Sequence, residues 1–316
     1  MHHGFPEKQF WPMAEQDISN VVNAHRRSSV EREFFMSGKY QGKLSKDLPG
    51  GRVEVPAGSE TKSYYKYYLE PFEGIPQELK QRIEKGFFEK GNGLEIADRK
   101  RLQQETAFPA EPGCYLLEEG GAMSCANVKV PNITKEAFAW WADWHGLDPL
   151  RYALWDNKDH YALEVENKDR LLDASISVGE RIWGTKHHIF ESLVGDEPQE
   201  LFMEFFDPRE CGYDADVIGT DRWLYGICAA AGMGGKIPVF ATEVLVKGED
   251  DVNEIRCRFW IGYERQPDGT IVCKLPKAVV PPKEFIQNLV QHNYSEFMHL
   301  NKILPRLYEE EKDNWL

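Results

Sequence analysis

A histidine and a glutamate stand four residues apart near the end of the chain, in the segment His292-Asn293-Tyr294-Ser295-Glu296. On an α-helix this spacing places both side chains on one face, one turn apart. Imidazole nitrogen and carboxylate oxygen are both zinc ligands, and two of them on one helical face can reach the same ion. A buried hydrogen bond between the two side chains explains the same spacing. The motif therefore indicates either half of a metal site or a buried polar pair.

The segment that carries this pair has the pattern of a long amphipathic helix. Pro281-Pro282 marks its predicted start, and Pro305 marks its predicted end. His292 and Glu296 fall in the middle of the apolar face, where an unpartnered polar group is costly to bury. We therefore expect the pair to bind a metal or each other. The apolar positions that define this face are Phe285, Leu289, Leu300 and Ile303.

Composition restricts the class of ligand. The chain has 316 residues and a net charge of -14, which argues against a general nucleic-acid surface or an anionic membrane surface. Nine Trp, 13 Tyr and 17 Phe indicate large buried pockets as well as a core. We expect a small aromatic molecule as the partner, with no nucleic acid and no membrane.

The cellular context is predicted from the amino terminus and the cysteines. The segment Met1-His2-His3-Gly4-Phe5-Pro6 lacks the charged and apolar regions of a signal peptide. The longest apolar run, around residues 223–233, is too short to span a bilayer. Six cysteines occur without a CxxC motif, which is typical of reduced core thiols. We expect a cytoplasmic protein.

The chain order predicts an α+β fold. Residues 13–37 look helical, and the region up to residue 130 reads as a mixed, loop-rich N-terminal lobe. From residue 131 a helix, strand-like runs with short connections and the long C-terminal helix follow. Such a sheet can curve around the last helix and leave a cavity between them, an arrangement called a helix grip. The predicted strands are an edge strand at Asp159 to Val165, then Glu200 to Phe206, Trp223 to Ala230, Pro238 to Val246, Glu254 to Tyr263 and Thr270 to Leu275.

Two further polar residues of this region stand in apolar surroundings. His145 closes the helix that Asn132 or Thr134 can cap, and it is either a ligand at the pocket edge or a partner of the last carbonyl groups. Glu180 has bulky apolar residues on either side and is either a ligand or the partner of Arg181 in a salt bridge. Sequence reasoning leaves both alternatives open.

Several motifs together resemble the diacetylphloroglucinol hydrolase and phloretin hydrolase family, over roughly residues 131–316. The resemblance implies a metal-dependent carbon–carbon hydrolase with a Bet v 1-like catalytic domain, and an N-terminal lobe at residues 1–130 that acts in homodimer formation or as a lid. It also implies a zinc ion held by two histidines and two glutamates. The motifs are Trp144-His145, Arg151-Tyr152-x-x-Trp155 with Asp159-His160, Arg181-x-Trp183-Gly184-Thr185, His292-x-x-x-Glu296 and Leu304-Pro305-x-Leu307-Tyr308-Glu309-Glu310.

By this resemblance the zinc ligands are His145, Glu180, His292 and Glu296. The assignment of Glu180 competes with other acidic residues, because the interval from His145 is a few residues longer than the family pattern. Two imidazoles and two carboxylates suit zinc, and the same set can also hold iron or manganese. The competing acidic residues are Glu164, Glu166 and Asp173.

The implied reaction requires a proton at the ring carbon while water attacks the ketone carbon. Glu180 is a candidate for a catalytic role as well as a ligand. The sequence also departs from the family. The family has a tyrosine about two helical turns before the first histidine, where this chain has Ala137-Phe138. The family also has a pocket histidine in the strands before the last helix, whereas this chain has no histidine between His188 and His292. The candidates that replace these groups are His160 for catalysis and Tyr225, His188 and Trp155 for substrate binding.

The leading hypothesis is a zinc-dependent hydrolase that cleaves the bond beside a ketone on an acylated phenol. The first alternative is a metal-free helix-grip protein that binds a hydrophobic aromatic ligand, with His292 and Glu296 as a buried pair. The second is a metal-dependent hydrolase or cyclase with another substrate on the same scaffold. Metal content distinguishes the first alternative, and the reaction products distinguish the second.

Overall fold

The computed structural model describes residues 40, 42–195, 197–233 and 237–316. The predicted helix over residues 13–37 lies outside the described residues. The helices of the described part are α1 (Tyr65–Tyr68), α2 (Gln77–Lys85), α3 (Lys135–Trp144), α4 (Pro149–Trp155) and α5 (Lys283–Glu311). The strands are β1 (Phe87–Phe88), β2 (Gly113–Leu116), β3 (Ala122–Lys129), β4 (His160–Val165), β5 (Lys186–Glu191), β6 (Gln199–Phe206), β7 (Tyr225–Met233), β8 (Ile237–Lys247), β9 (Asn253–Ile261), β10 (Tyr263–Arg265) and β11 (Ile271–Cys273).

One large sheet dominates the described residues. Its nine strands follow the order β1-β2-β3-β9-β8-β7-β6-β5-β4, and all neighbours are antiparallel except β1 and β2. The strands predicted from alternation and short connections are confirmed, and β4 forms the predicted edge. The α+β class, with a large antiparallel sheet and a long C-terminal helix, is therefore confirmed.

Alternation along the strands separates two apolar layers. On β8 the side chains of Val239, Ala241 and Glu243 line a cavity on the α5 side of the sheet. Phe240 and Val244, one residue out of step, join a second core cluster on the opposite face. This period of two follows from the pleat of a strand. One face of the sheet is thereby available to build a site with α5.

The first turns of helix α3 and helix α4 are each fixed by the side chain of the N-cap residue. The Thr134 side chain accepts a hydrogen bond from the Ala137 backbone N–H at 3.2 Å, as an N-cap residue does. The Asp148 side chain caps α4 in the same way, accepting from the Leu150 N–H at 2.7 Å. These caps fix where each helix begins and therefore where its last residues meet the sheet.

Helix α5 continues past Pro305, so the predicted end of this helix is wrong. The structure places Pro305 inside a helix that runs to Glu311. Proline removes one backbone donor from a helix. The side chains of Leu304 and Leu307 on either side of it are fully buried, and their burial offsets the lost hydrogen bond.

The predicted boundary between residues 130 and 131 separates β3 from α3. Strand β3, before this boundary, is hydrogen-bonded to β9, which lies after it. The division into two lobes, the Bet v 1-like assignment and the homodimer remain predictions. All six cysteines are free thiols, as expected. Among the described helices, none has both the length and the apolar composition that crossing a bilayer requires.

Candidate functional site

A cavity lies between α5 and one face of the large sheet. Its wall is mostly apolar, and each strand from β5 to β8 contributes alternate residues to it. A smaller number of polar side chains also line the cavity. The apolar lining includes Ile189, Leu201, Met203, Phe205, Ile227, Ala229, Ala231, Val239, Ala241, Phe259 and Leu289, and the polar lining includes His145, Tyr152, His160, His187, Glu191, Glu243, His292, Asn293 and Glu296.

Four of the polar side chains converge at one end of the cavity. His160 is the first residue of β4, and Glu191 is the last residue of the neighbouring β5. These two residues are register partners in the sheet. His292 and Glu296 reach the same place from α5, one helical turn apart. The tertiary fold therefore brings two imidazoles and two carboxylates together from three elements.

The distances in this group match those between ligands of one metal ion. The Nε2 atoms of His160 and His292 are 3.4 Å apart. Glu296 Oε2 lies 3.6 Å from His160 Nε2 and 3.5 Å from His292 Nε2. Glu191 Oε2 lies 3.7 Å from His160 Nε2. Ligands at zinc distances in a tetrahedral arrangement are about 3.4 Å apart, so this spacing suits such an ion.

The hydrogen bond of His160 fixes which of its nitrogens faces the group. Its Nδ1 lies 3.2 Å from the Tyr152 carbonyl oxygen, which can only accept, so Nδ1 carries the hydrogen. Nε2 is then left with its lone pair toward His292. The ring also stacks on the Tyr152 ring, with centroids 4.0 Å apart. Such support by a backbone carbonyl is usual for a metal-binding histidine.

Asp156 faces the other nitrogen of His292. Its Oδ2 lies 3.9 Å from His292 Nδ1, and both atoms are buried without a hydrogen-bond partner among the described residues. Asp156 Oδ1 is held by the backbone N–H groups of Lys158 and Asp159. A small rotation of the His292 ring would join the two unpartnered atoms. This arrangement suits a carboxylate that orients a metal-binding imidazole.

Burial raises the pKa of both carboxyl groups of this site. Burial, together with the nearby carboxyls of Glu243, Glu191 and Asp156, holds the pKa of Glu296 well above its usual value. Burial also raises the pKa of Glu191, although the Tyr152 hydroxyl donates a hydrogen bond to it. Desolvation lowers the pKa of His160 well below the usual range. A divalent cation would compensate the buried charge, so the residues present fit a metal ion.

The structure does not bring His145 or Glu180 into this group. Among the described residues, the clusters that can hold a metal include neither of them. His145 lines the cavity, with Nδ1 at 3.0 Å from the Trp141 carbonyl oxygen. Glu180 lies in the turn between Ser177 and Trp183, is half-buried and does not line the cavity. His160 and Glu191 lie beside His292 and Glu296 instead.

Of the other predicted site residues, one lines the cavity and two lie outside its lining. Trp155 lines the cavity, and its ring lies 5.5 Å from the ring of His160. His188 points to the opposite face of β5, where its Nε2 is 2.8 Å from Glu166 Oε1. Tyr225 is buried outside the lining and donates its hydroxyl hydrogen to the Gly179 carbonyl oxygen at 2.8 Å. The roles of these three residues remain predictions.

Sequence reasoning overlooked Glu191. The run from residue 186 to residue 191 alternates in a way that a strand requires, with His187, Ile189 and Glu191 on one face. Treating this run as a strand would have placed Glu191 and His187 on the same side. That alternation was the available signal, and it is short because β5 has only 6 residues.

Glu243 adds a third carboxyl group to the cavity wall, beside Glu191 and Glu296. Glu243 lies on β8, and the cavity-lining residues around it on the sheet are mostly small or apolar. Burial, and then the nearby Glu191 carboxyl, raise its pKa to about 8. At neutral pH the side chain therefore carries a proton when the site holds no metal. The protonated carboxyl group is a hydrogen-bond donor that faces the cavity.

This pKa shift predicts a pH-dependent effect of Glu243→Gln on stability in metal-free protein. The unfolded chain ionises Glu243 above its ordinary pKa of 4.5, whereas the folded chain keeps the proton up to about pH 8. Glu243 therefore lowers the free energy of unfolding as the pH rises through this window. We expect Glu243→Gln to be more stable than the parent by about 4 kcal/mol at pH 8 and by less than about 1 kcal/mol at pH 5. Urea denaturation with a chelator present measures this, and an equal difference at both pH values would contradict it.

The chain is similar to known hydrolases over most of its length. The family model described as "DAPG hydrolase PhiG domain" matches residues 94–309. Phloretin hydrolase of Eubacterium ramulus is 33% identical over 294 residues, which cover 90% of this chain and 100% of that protein. The 2,4-diacetylphloroglucinol hydrolase of Pseudomonas protegens is 27% identical over 266 residues, covering 80% of this chain and 86% of that protein.

Similarity to solved structures is weaker. The crystal structure of Ara h 8.0201 covers 58% of this chain and 96% of its own, with 11% sequence identity and a TM-score of 0.35. The sequence relatives therefore provide the family assignment.

Proposed function

The chain belongs to the DAPG hydrolase PhiG domain family and is therefore a hydrolase, and from this premise we propose that it cleaves acylated phenols of the phloroglucinol type with the help of zinc. The bond between the aromatic ring and the ketone carbon breaks. Water supplies a hydroxyl group to the ketone carbon and a proton to the ring carbon, so the products are the phenol and a carboxylic acid. The convergence of four ligand atoms at one end of a buried aromatic cavity carries this proposal.

The proposed zinc ligands are His160, Glu191, His292 and Glu296. The spacing of their ligand atoms supports this set, since four measured separations fall between 3.4 and 3.7 Å. His145 and Glu180 are replaced in the proposal because neither belongs to the group. A bound zinc ion would polarise the ketone and lower the pKa of a water molecule.

The residues around the ligands have separate tasks in this proposal. The Tyr152 hydroxyl holds Glu191 in place by donating to its Oε2. Asn293 Nδ2 donates to Glu296 Oε1 at 3.2 Å and leaves Oε2 directed at the histidines. Asp156 orients His292 through Nδ1. These contacts restrict the rotation of the ligand side chains and so favour one geometry of the site.

Glu243 is the proposed source of the proton for the ring carbon. Its carboxyl group faces the cavity from the apolar face of β8, where it could donate a proton to the ring carbon and take one back from the attacking water. The side chains of Ala229, Ala231 and Ala241 leave room beside it for a flat ring. The apolar wall also excludes bulk water, which strengthens electrostatic interactions within the cavity.

Metal content provides a direct test of the ligand set. We expect about one zinc per chain in protein purified without chelator or metal-affinity resin. Glu191→Gln should reduce zinc occupancy at least about tenfold, because an amide oxygen is a weaker ligand than a carboxylate. Glu180→Gln is the matched control and should retain the zinc. Elemental analysis of the folded variants measures both.

The opposite result would be equally informative. Loss of zinc in Glu180→Gln with full retention in Glu191→Gln would contradict the proposed ligands and favour the ligand set that the sequence predicts. A folded, metal-free parent that cannot be reconstituted would favour the aromatic-binding protein instead. Incubation of the zinc-loaded chain with an acylphloroglucinol, followed by mass spectrometry of the phenol and the acid, tests the reaction itself.

A further inference from the structure

Two histidines of the cavity wall take no part in the proposed metal site. His145 follows α3, and His187 is the second residue of β5. Their ring centroids are 5.7 Å apart, and both residues line the cavity. His187 is 0% exposed and His145 is 6% exposed. Buried polar groups normally have partners, so the free nitrogens of this pair require an explanation.

The hydrogen bonds of Thr185 fix the tautomer of His187. The Thr185 hydroxyl donates its single hydrogen to the Ile182 carbonyl oxygen at 2.7 Å. Its oxygen can therefore only accept from His187 Nε2, which lies 3.1 Å away. Nε2 carries the hydrogen, and Nδ1 is an acceptor. Among the described residues Nδ1 is buried and has no partner.

His145 has the opposite tautomer, and it too is left with one unprotonated ring nitrogen. Its Nδ1 lies 3.0 Å from the Trp141 carbonyl oxygen, which only accepts, so Nδ1 is the donor. Nε2 is left with a lone pair. Burial keeps both rings neutral, because it lowers the pKa of His145 to about 4 and that of His187 well below its usual value. The two rings therefore provide two acceptors and no free donor.

Such a pair selects the chemistry of its ligand. Carboxylates and phosphates bring acceptors and would be repelled, whereas a hydroxyl group can donate to either ring. Within the described part of the chain, neither histidine belongs to a cluster of three metal-binding side chains. The neighbouring cavity wall is apolar and aromatic, with the Phe205 ring 4.7 Å from the His187 ring. A hydroxyl on an aromatic ring fits these surroundings.

The position of His187 relative to Glu191 sets the length of the ligand. Both side chains face the cavity from β5, four residues apart, which corresponds to about 13 Å along a strand. This separation exceeds the width of a single benzene ring. A molecule whose ketone lies at Glu191 therefore reaches His187 only with a group that extends beyond a single ring.

We propose that His145 and His187 form a subsite that accepts a hydrogen bond from a phenolic hydroxyl at the end of the ketone substrate that lies away from Glu191. This inference rests on the proposed function for the placement of the ketone. It makes these two residues determinants of specificity, and it makes Thr185 a positioning residue that holds the tautomer of His187.

The test compares two ketones that differ by one hydroxyl. Each has a 2,4,6-trihydroxyphenyl ketone with a two-carbon link to a second ring, which is either 4-hydroxyphenyl or phenyl. We expect the full-length chain, treated with a chelator to prevent turnover, to bind the hydroxylated ketone about tenfold more tightly. Calorimetry measures the ratio of the two Kd values. The ratio should fall to about 1 in His187→Leu, because leucine cannot accept the hydrogen bond.

Thr185 provides a matched pair of variants that does not depend on the folding of His187→Leu. Thr185→Val removes the hydroxyl with little change in shape, and it should reduce the Kd ratio about threefold because the His187 tautomer is no longer fixed. Thr185→Ser keeps the hydroxyl and should keep the ratio. A purely structural role of Thr185 would change both Kd values together and leave their ratio unchanged.

Three results would overturn the subsite. They are equal Kd values for the two ketones in the parent chain, an unchanged ratio in His187→Leu, and failure of the parent to bind either ketone. Turnover by the zinc-loaded chain is measured separately. Absence of turnover would contradict the proposed function, and the Kd ratio would still decide whether the subsite exists.

Discussion

Replacing His292 by alanine is expected to reduce kcat/KM for acylphenol cleavage about a thousandfold. His292 Nε2 lies within 3.5 Å of both His160 Nε2 and Glu296 Oε2, at the centre of the proposed ligand group. Its loss would remove a ligand and with it the ion that polarises the ketone, an effect of several kcal/mol on the barrier. Steady-state kinetics with a zinc-supplemented assay measure the change.

His299 is the matched control for this experiment. It lies on the same helix, is also buried and packs on the Phe72 ring with centroids 5.0 Å apart. It does not line the cavity. His299→Ala should therefore keep kcat/KM within about twofold for the folded fraction of the protein. Retention of more than a tenth of the parent activity by His292→Ala would contradict the assigned role of His292.

The largest effect on stability is expected for Arg258→Met. Arg258 is 0% exposed and lies on β9. Its guanidinium group donates to the carbonyl oxygens of Phe108, Pro109, Ala126 and Cys257 and to the Asn127 side-chain oxygen. Methionine fills a similar volume but donates no hydrogen bond, so the Phe108 carbonyl oxygen and the Asn127 side-chain oxygen lose the donors that Arg258 supplies. We expect the free energy of unfolding to fall by at least about 3 kcal/mol.

Urea denaturation at neutral pH measures this change. Arg82→Met is the control, because Arg82 is exposed and its pair with Glu111 lies on the surface. Exposed pairs contribute little, so this variant should match the parent closely. Equal stability of Arg258→Met and the parent would show that water or other groups satisfy the freed carbonyl oxygens, and the assigned role of Arg258 would be wrong.

These experiments distinguish a residue that takes part in the reaction from a residue that stabilises the fold. His292 belongs to the ligand group, whereas Arg258 holds β9 against the segment at residues 108–109 and against β3. The neighbouring residue on β9, Phe259, lines the cavity. Loss of Arg258 should therefore reduce activity mainly through the folded fraction, and loss of His292 should reduce activity at full folding.

The sequence by itself determined the features that depend on local periodicity. The placement of His292 and Glu296 within an apolar helical face predicted a buried pair, and the structure contains it. Alternation predicted the strands from residue 200 onward, because a pleated strand exposes opposite faces to different environments. The family followed from motifs that are local in the chain, and the comparisons confirm it.

The tertiary structure decided which other residues join this pair. Sequence reasoning assigned His145 and Glu180 to the metal, kept His160 as a catalytic candidate and overlooked Glu191. The choice depends on the register of β4 with β5, which pairs His160 with Glu191, and on the face of β5 that meets α5. A shift of one residue would turn Glu191 away from the cavity. Such long-range pairing leaves no periodic signal in the chain, and for that physical reason only the folded structure brings the four side chains together.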